Sequence, residues 1–433
     1  MRDIALFLIV FATIPYILRH PYIGVLVWSW LSYMNPHRLT WGIAYNFPFA
    51  QLVAVVLFIS LILDKEPKRL PRHFLVGIWI LFLIWTLVTT LNAYYPDPAW
   101  KDFVRLFKIQ LIIFLTMLVM HSAQRINLMI WVIYLSLGFY GIKGGVFTAI
   151  TGAAGRVWGP EGTFIGDNNT LAVALLMALP LGFYLIKHQI TNKWIKRAMW
   201  AGMLLIFLSV VASFSRGAFL AIFAVAGYLW LKTDKKMITA MVILPIIPLF
   251  FLFMPDSWHA RMSTIENYEQ DESAMARINS WAYSINVAND NVTGVGMNAW
   301  RRETFAMYAP DPTTVFAAHS IYFSVIADHG WIGFILYMTI FTGGFFIARK
   351  IARIAASTDE YLWASDLAKM TQVSLVAYAT GGAFLSLSYY DLPWHLVAIV
   401  LLLQQLLKDE GVWQTGPKPL AQNLAVKTTG GKV

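Results

Sequence analysis

Positively charged side chains stand at the edges of long apolar runs in this chain, where charge is costly unless it meets a partner or an aqueous cavity. Arg216 follows Ser213-Phe214-Ser215 between two such runs, Arg156 lies in the Gly-rich stretch 152–169, and Lys143 sits one or two turns before it. Arg105 and Lys108 are three apart and so share a helix face. Arg261, Arg277, Arg301 and Arg302 fall in one long polar stretch. Guanidinium forks match phosphate oxygens, so a group of them at one membrane depth would hold a lipid pyrophosphate. Taken singly, each cation would serve equally by reaching to headgroups or by pairing with Asp102 or Asp167.

Among nine histidines, His319 has a distinctive setting, Ala317-Ala318-His319-Ser320-Ile321-Tyr322, at the end of that polar stretch. An imidazole titrates near neutrality and could take a proton from an attacking hydroxyl, with Tyr322 one turn on to orient the ring or the acceptor. A capping or core histidine is the competing reading, and His20, His37, His259, His329 and His395 could share its side of the membrane. No Asp or Glu occurs in 19–46, the first outer stretch, so no metal site is expected there; Asp167 and Asp391 are the remaining outward carboxylates. Cysteine is absent, which excludes thiolate chemistry. No phosphate loop or Gly-x-Gly-x-x-Gly fingerprint supports nucleotide chemistry, and no cofactor is expected.

The elements that must carry these groups are membrane helices. Of 433 residues, 58% are apolar or aromatic and 13% are charged, against roughly a quarter charged in ordinary soluble domains. Apolar runs at 47–63, 74–94, 103–120, 126–150, 170–187, 198–213, 217–231, 237–254, 331–348, 370–390 and 392–407 each approach the length that crosses about 30 Å of hydrocarbon. The segments 4–18 and 22–34 form either a hairpin or a single span. Lys and Arg collect at 64–73, 187–197, 232–236 and 349–369, which the positive-inside rule makes cytoplasmic. The net charge of +10 is then topological and does not imply nucleic acid.

Parity places 255–315 outside and predicts an all-α, polytopic integral membrane protein of about twelve transmembrane helices with one large helical periplasmic loop. Its parts are N-terminal membrane helices over 1–254, the loop over 255–318, C-terminal membrane helices over 319–410 and a cytoplasmic tail over 411–433. The stretch 315–330 is read as re-entrant or interfacial. Within the loop, Ser273 can cap a helix through Asn289, a Gly294-Val295-Gly296 turn follows, and 298–308 forms a second short helix.

Four motifs occur in order over about residues 155–345: Ser215-Arg216-Gly217-Ala218, Ser273-Ala274-Met275-Ala276-Arg277 leading to Trp281, Gly294-Val295-Gly296, and Ala318-His319-Ser320 before Gly330-Trp331-Ile332-Gly333. The series resembles the bacterial O-antigen ligase and polymerase superfamily. Residues 14–50, with Pro36-His37-Arg38 and Trp41-Gly42, resemble the exosortase-associated branch of O-glycosylation ligases. The resemblance implies an inner-membrane glycosyltransferase working without metal or nucleotide. Its donor would be a glycan on undecaprenyl pyrophosphate, and its acceptor a lipid A core sugar in lipopolysaccharide biosynthesis or a protein hydroxyl. His319 would match the family's loop histidine, and Arg216 and Arg277 its arginines, with Arg156 helping at the pyrophosphate. Lys143, Arg105, Arg261, Arg301, Tyr322 and Asp391 are supporting candidates. An O-antigen polymerase is the near alternative. A lipid-linked glycan transporter is the alternative of another class, against which stands the clustering of polar residues at the outer face rather than mid-membrane.

Overall fold

The computed structural model describes residues 1–152, 155–233, 236–237 and 272–414. The expected run 237–254, the segment 255–271 with Arg261 and His259, and the tail beyond residue 414 fall almost wholly outside the described residues. Among the described residues the structure is helical, with no strand. The helices are α1 (Arg2–Arg19), α2 (Pro21–Met34), α3 (Phe49–Leu63), α4 (Phe74–Leu91), α5 (Pro96–Val119), α6 (Ala123–Thr151), α7 (Asn168–His188), α8 (Lys193–Val211), α9 (Arg216–Lys232), α10 (Glu272–Asp290), α11 (Arg302–Tyr308), α12 (Ile321–Ala355), α13 (Leu362–Gly382) and α14 (Asp391–Asp409). Five of them, α4, α6, α7, α8 and α12, are long and apolar enough to cross a membrane.

The first apolar segment is two helices, not one. Pro21 lacks the N–H that would continue α1, so the chain turns at an extended His20 and Pro21 opens α2 at its first position. The core centres on α7 and α14, whose side chains are buried nearly all round. An apolar helix without a polar stripe belongs in the middle of a bundle, and α13 packs against both. Small residues set these distances. The Gly381 position faces Val173 so closely that an added Cβ would lie 2.5 Å from its methyl, and Ser374 donates to the Met177 carbonyl at 2.7 Å.

Three expectations change. His395 does not face outward: it is buried in α14, its Nδ1 2.6 Å from Tyr33 Oη and its Nε2 3.2 Å from Thr116 Oγ1. His329 is likewise buried, against Thr89 Oγ1 at 2.6 Å. The run 370–390 is not one helix, because α13 ends at Gly382 and residues 383–390 form turns before α14.

The helix α12 contains a break. Gly330 has φ 64° and ψ −172°, a conformation that disfavours any residue with a Cβ. The stretch 321–329 therefore rises only about 14 Å, well short of a bilayer core, and 331–355 continues as the part long enough to cross one. The Gly294 backbone packs into the break, where an added Cβ would lie 2.4 Å from the Ala327 carbonyl, and Val295 N donates to that same oxygen at 3.0 Å. The Gly-Val-Gly turn read from the sequence is thus the joint between the segment 272–320 and α12.

Candidate active site

The turn before α9 is built by serines. Ser213 Oγ donates to the Val210 carbonyl at 2.7 Å and accepts from Ser215 N at 3.2 Å, and Ser215 Oγ caps the helix by accepting from Ala218 N at 3.2 Å. Phe214 takes a left-handed φ of 56° to close the turn. Arg216 is therefore the first residue of α9. It lines a cavity of about 70 Å³ together with Asn169, Ser215, Gly217, Ser273, Ala274, Arg277 and Phe384.

Asn169 lies in the first turn of α7, and Ser273 and Ala274 in that of α10. Three helix N-termini and two guanidiniums thus converge on one cavity. The first turn of each helix carries a partial positive charge, offset at α7 by the Asp167 cap, and together with the two guanidiniums the field there favours an anion.

The helix that carries Arg277 also positions His319. Asn279 Nδ2 donates to the carbonyls of Asp311 and Thr314, at 2.8 and 3.1 Å, and its Oδ1 accepts from Asp311 N at 2.8 Å. Ser280 Oγ donates to the Phe316 carbonyl at 2.6 Å, and Trp281 Nε1 to the Ala318 carbonyl at 2.8 Å. The indole stacks on Phe323 at 5.0 Å and 11°. Held this way, His319 adopts a left-handed φ of 42°, which costs a non-glycine residue about 1–2 kcal/mol and persists only when its surroundings impose it. Removing one tie should show directly. Trp281→Phe keeps a ring for the stack but leaves the buried Ala318 carbonyl without its donor, a loss of about 1–3 kcal/mol in stability. Thermal unfolding in detergent measures it, and an unchanged melting temperature would show that the indole N–H is not a support.

The imidazole is half-buried. Burial and then the nearby Arg277 charge lower its pKa from the usual 6.5, while Asp167 acts in the opposite sense. Its Nδ1 lies 3.4 Å from Ser386 Oγ, in the turns after α13. At neutral pH the ring is mainly uncharged, the form that can accept a proton. Asp167 itself caps α7, accepting from Asn169 N, Thr170 N and Thr170 Oγ1 at 2.8, 3.1 and 2.6 Å. Among the described residues no three His, Asp or Glu side chains come together as a metal site.

The other expected site residues scatter. Arg156 is exposed and lines none of these cavities: the Gly159–Gly166 hydrogen bond curls the loop so that Gly162–Ile165 point inward instead. Lys143 is exposed along α6. Arg301 lies over the Tyr95 ring at 4.1 Å, away from the cation cavity. The Tyr322 hydroxyl donates to the Ala379 carbonyl at 2.8 Å, so Ser386 and not Tyr322 stands at the imidazole. Arg105 stacks over Phe164 at 4.0 Å and lines two further cavities, one of which also includes Asp391.

An apolar cavity of about 540 Å³ completes the neighbourhood. Among the described residues its walls are apolar side chains of α7, α8, α9 and α13, including Leu176, Phe183, Phe207 and Phe223. Phe219, three residues after Arg216 on the same face of α9, is part of that wall.

Residues 201–338 match the family described as O-antigen ligase. That span carries Arg216, Arg277, Trp281 and His319, the same residues on which the motif resemblance rests. Residues 1–190 match a family of unknown function (DUF5935). No curated protein matches the chain.

Proposed function

We propose that this chain, which over residues 201–338 matches the O-antigen ligase family, transfers a glycan from undecaprenyl pyrophosphate to an acceptor hydroxyl at the outer face of the bacterial inner membrane. The observation that carries this reading is the cavity shared by Arg216 and Arg277, with His319 within electrostatic reach of Arg277. The pyrophosphate lies among the two guanidiniums and three helix N-termini. Its polyprenyl chain runs along the apolar cavity that begins one turn down α9. The hydrogen-bond donors would then stabilise the charge that develops on the leaving group.

His319 accepts the proton of the acceptor hydroxyl as that oxygen bonds to the anomeric carbon. The bond from that carbon to the phosphate oxygen breaks, and the electron pair leaves with undecaprenyl pyrophosphate. One displacement inverts the anomeric centre. Nδ1–H donating to Ser386 Oγ would leave the Nε2 lone pair for the proton, and the imidazolium then returns its proton to water.

The test is transfer by the purified full chain in detergent, given an undecaprenyl-linked glycan and, in separate arms, lipid A core, peptide or a second lipid-linked glycan. Product in one arm assigns ligase, protein O-glycosylation or polymerase activity. Donor translocation in proteoliposomes with no product in any arm would replace the enzyme by a transporter.

The reading also needs about twelve spans, with 255–318 outside and 349–369 inside. Because the chain has no cysteine, Pro312→Cys and Ser357→Cys each supply one reactive thiol at an exposed position. An impermeant thiol reagent should label the first in spheroplasts and the second only after the membrane is opened. Equal labelling of both would reverse or break the register.

A further inference from the structure

We infer that the Arg38–Arg105–Lys108 cavity is a second anion site, which takes a sugar bearing a phosphate monoester or a carboxylate. This cavity has a volume of about 230 Å³ and opens between α2, α5, the 162–165 loop and the start of α14. It shares no residue with the Arg216–Arg277 cavity. Most of its lining falls within residues 1–190, the part matched to a family without a function.

Charge in this cavity is unbalanced. Arg38, Arg105 and Lys108 all line it, and among the described residues none of the three makes an ion pair. Both guanidiniums are instead oriented by aromatic faces, Arg38 over Tyr45 at 4.7 Å and Arg105 over Phe164 at 4.0 Å. Stacking fixes a guanidinium plane while leaving its N–H edge available for a bidentate acceptor. The one carboxylate in the lining, Asp391, is buried and already accepts from Ser32 Oγ at 2.5 Å. One carboxylate against three cations leaves net positive charge, and Arg38, the half-buried one of the three, is costly without a counterion.

Two buried polar atoms in the lining also lack partners among the described residues. These are Arg38 Nε and the hydroxyl of Tyr390, a residue only 2% exposed. Buried donors are nearly always satisfied, so two left open on the lining of one cavity add to its unmet polar demand.

Size and lining choose the ligand class. The volume is below the roughly 300–1,000 Å³ of pockets that enclose whole drug-sized ligands, and suits a single ring with its substituent. Trp28 offers an aromatic face and the Tyr390 hydroxyl a partner for a sugar hydroxyl, neither of which a bare inorganic anion would use. Arg105 and Phe164 form a wall shared with a neighbouring cavity of about 290 Å³ that reaches Ala317 and Ser386, the latter at the His319 ring. On the glycosyl-transfer reading given above, on which this step rests, the acidic sugar belongs to the acceptor, whose chain then extends toward His319.

The test is binding of soluble probes to the purified full chain by isothermal titration, so that it reads nothing of transfer. Glucose 6-phosphate or glucuronate should bind saturably, and glucose should not. Lys108→Gln, at an exposed position, and Arg38→Gln should each weaken acid-sugar binding about tenfold or more, and Tyr390→Phe should weaken it less. Should Arg38→Gln fail to fold, Lys108→Gln carries the test alone. Arg216→Gln should leave acid-sugar affinity as it is. Equal affinity for glucose, no effect of Lys108→Gln, or a loss on Arg216→Gln would each overturn the proposal. So would displacement of the probe by phosphatidylglycerol nanodiscs but not by glucuronate, which would make the site a headgroup site. Transfer without acid-sugar binding removes this inference alone, and acid-sugar binding without transfer removes the enzyme reading and leaves the site.

Discussion

Purified His319→Ala protein should bind the lipid-linked donor as wild type does and transfer its glycan roughly 10²–10⁴-fold more slowly, the usual worth of general-base assistance. The pyrophosphate leaving group is good without further activation, so loss of the base falls on the acceptor side of the reaction. The pH profile separates this from a structural role. Wild-type rate should rise with pH as the imidazole loses its proton, with a midpoint below the 6.5 of an unperturbed histidine because burial and Arg277 both disfavour the charged ring. Removing that repulsion in Arg277→Gln should move the midpoint up, and removing the Asp167 charge in Asp167→Asn should move it down. Chelators should have no effect. Full transfer by His319→Ala, or a rate that collapses with chelator, would turn attention to outward carboxylates such as Asp167.

Arg216→Ala and Arg277→Ala should each reduce donor affinity by about tenfold or more, since one charge-assisted contact to phosphate is worth roughly 1.5–3 kcal/mol. Lysine should rescue only in part, because an ammonium restores charge without the planar fork. The two losses should not add, since both side chains line one small cavity and would share one ligand. Donor affinity that survives both substitutions would remove the pyrophosphate from this cavity.

The sequence made the candidate groups legible and left their surroundings mostly hidden. His319, Arg216 and Arg277 are visible because their side-chain chemistry is rare beside apolar runs and because they fall on ordered motifs. The α10 helix could be read from its apolar stripe, and it spans Glu272–Asp290, so that Ser273, expected to cap it, lies within its first turn. Ser386 was out of reach because 370–390 carries no charge and is mostly apolar, and hydropathy does not register a turn between two buried helices. Gly381-Gly382 followed by Ser-Leu-Ser was the available sign of one. Arg156 shows the opposite failure: side-chain type suggested a ligand, whereas the curl of a glycine-rich loop decides which residues turn inward.

The joint at Gly294 and Gly330 bears on how the outer segment behaves as a mechanical part. Residues 279–281 tie it to the irregular stretch 311–318 before His319, Val295 ties it to Ala327 and, through its carbonyl, to Tyr94 N at 3.0 Å, and Trp331 Nε1 reaches Asn289 at 3.0 Å. These anchors run the length of 279–331 and engage α12 and the 92–95 turn between α4 and α5. To swing as a lid, the segment would have to break several of them together, each worth about 1 kcal/mol net and more where a buried group is left bare. From residue 279 to the break at Gly330, then, the segment is a fixed wall. Its contribution at His319 is preorganisation, with the ring's setting already made before any substrate arrives.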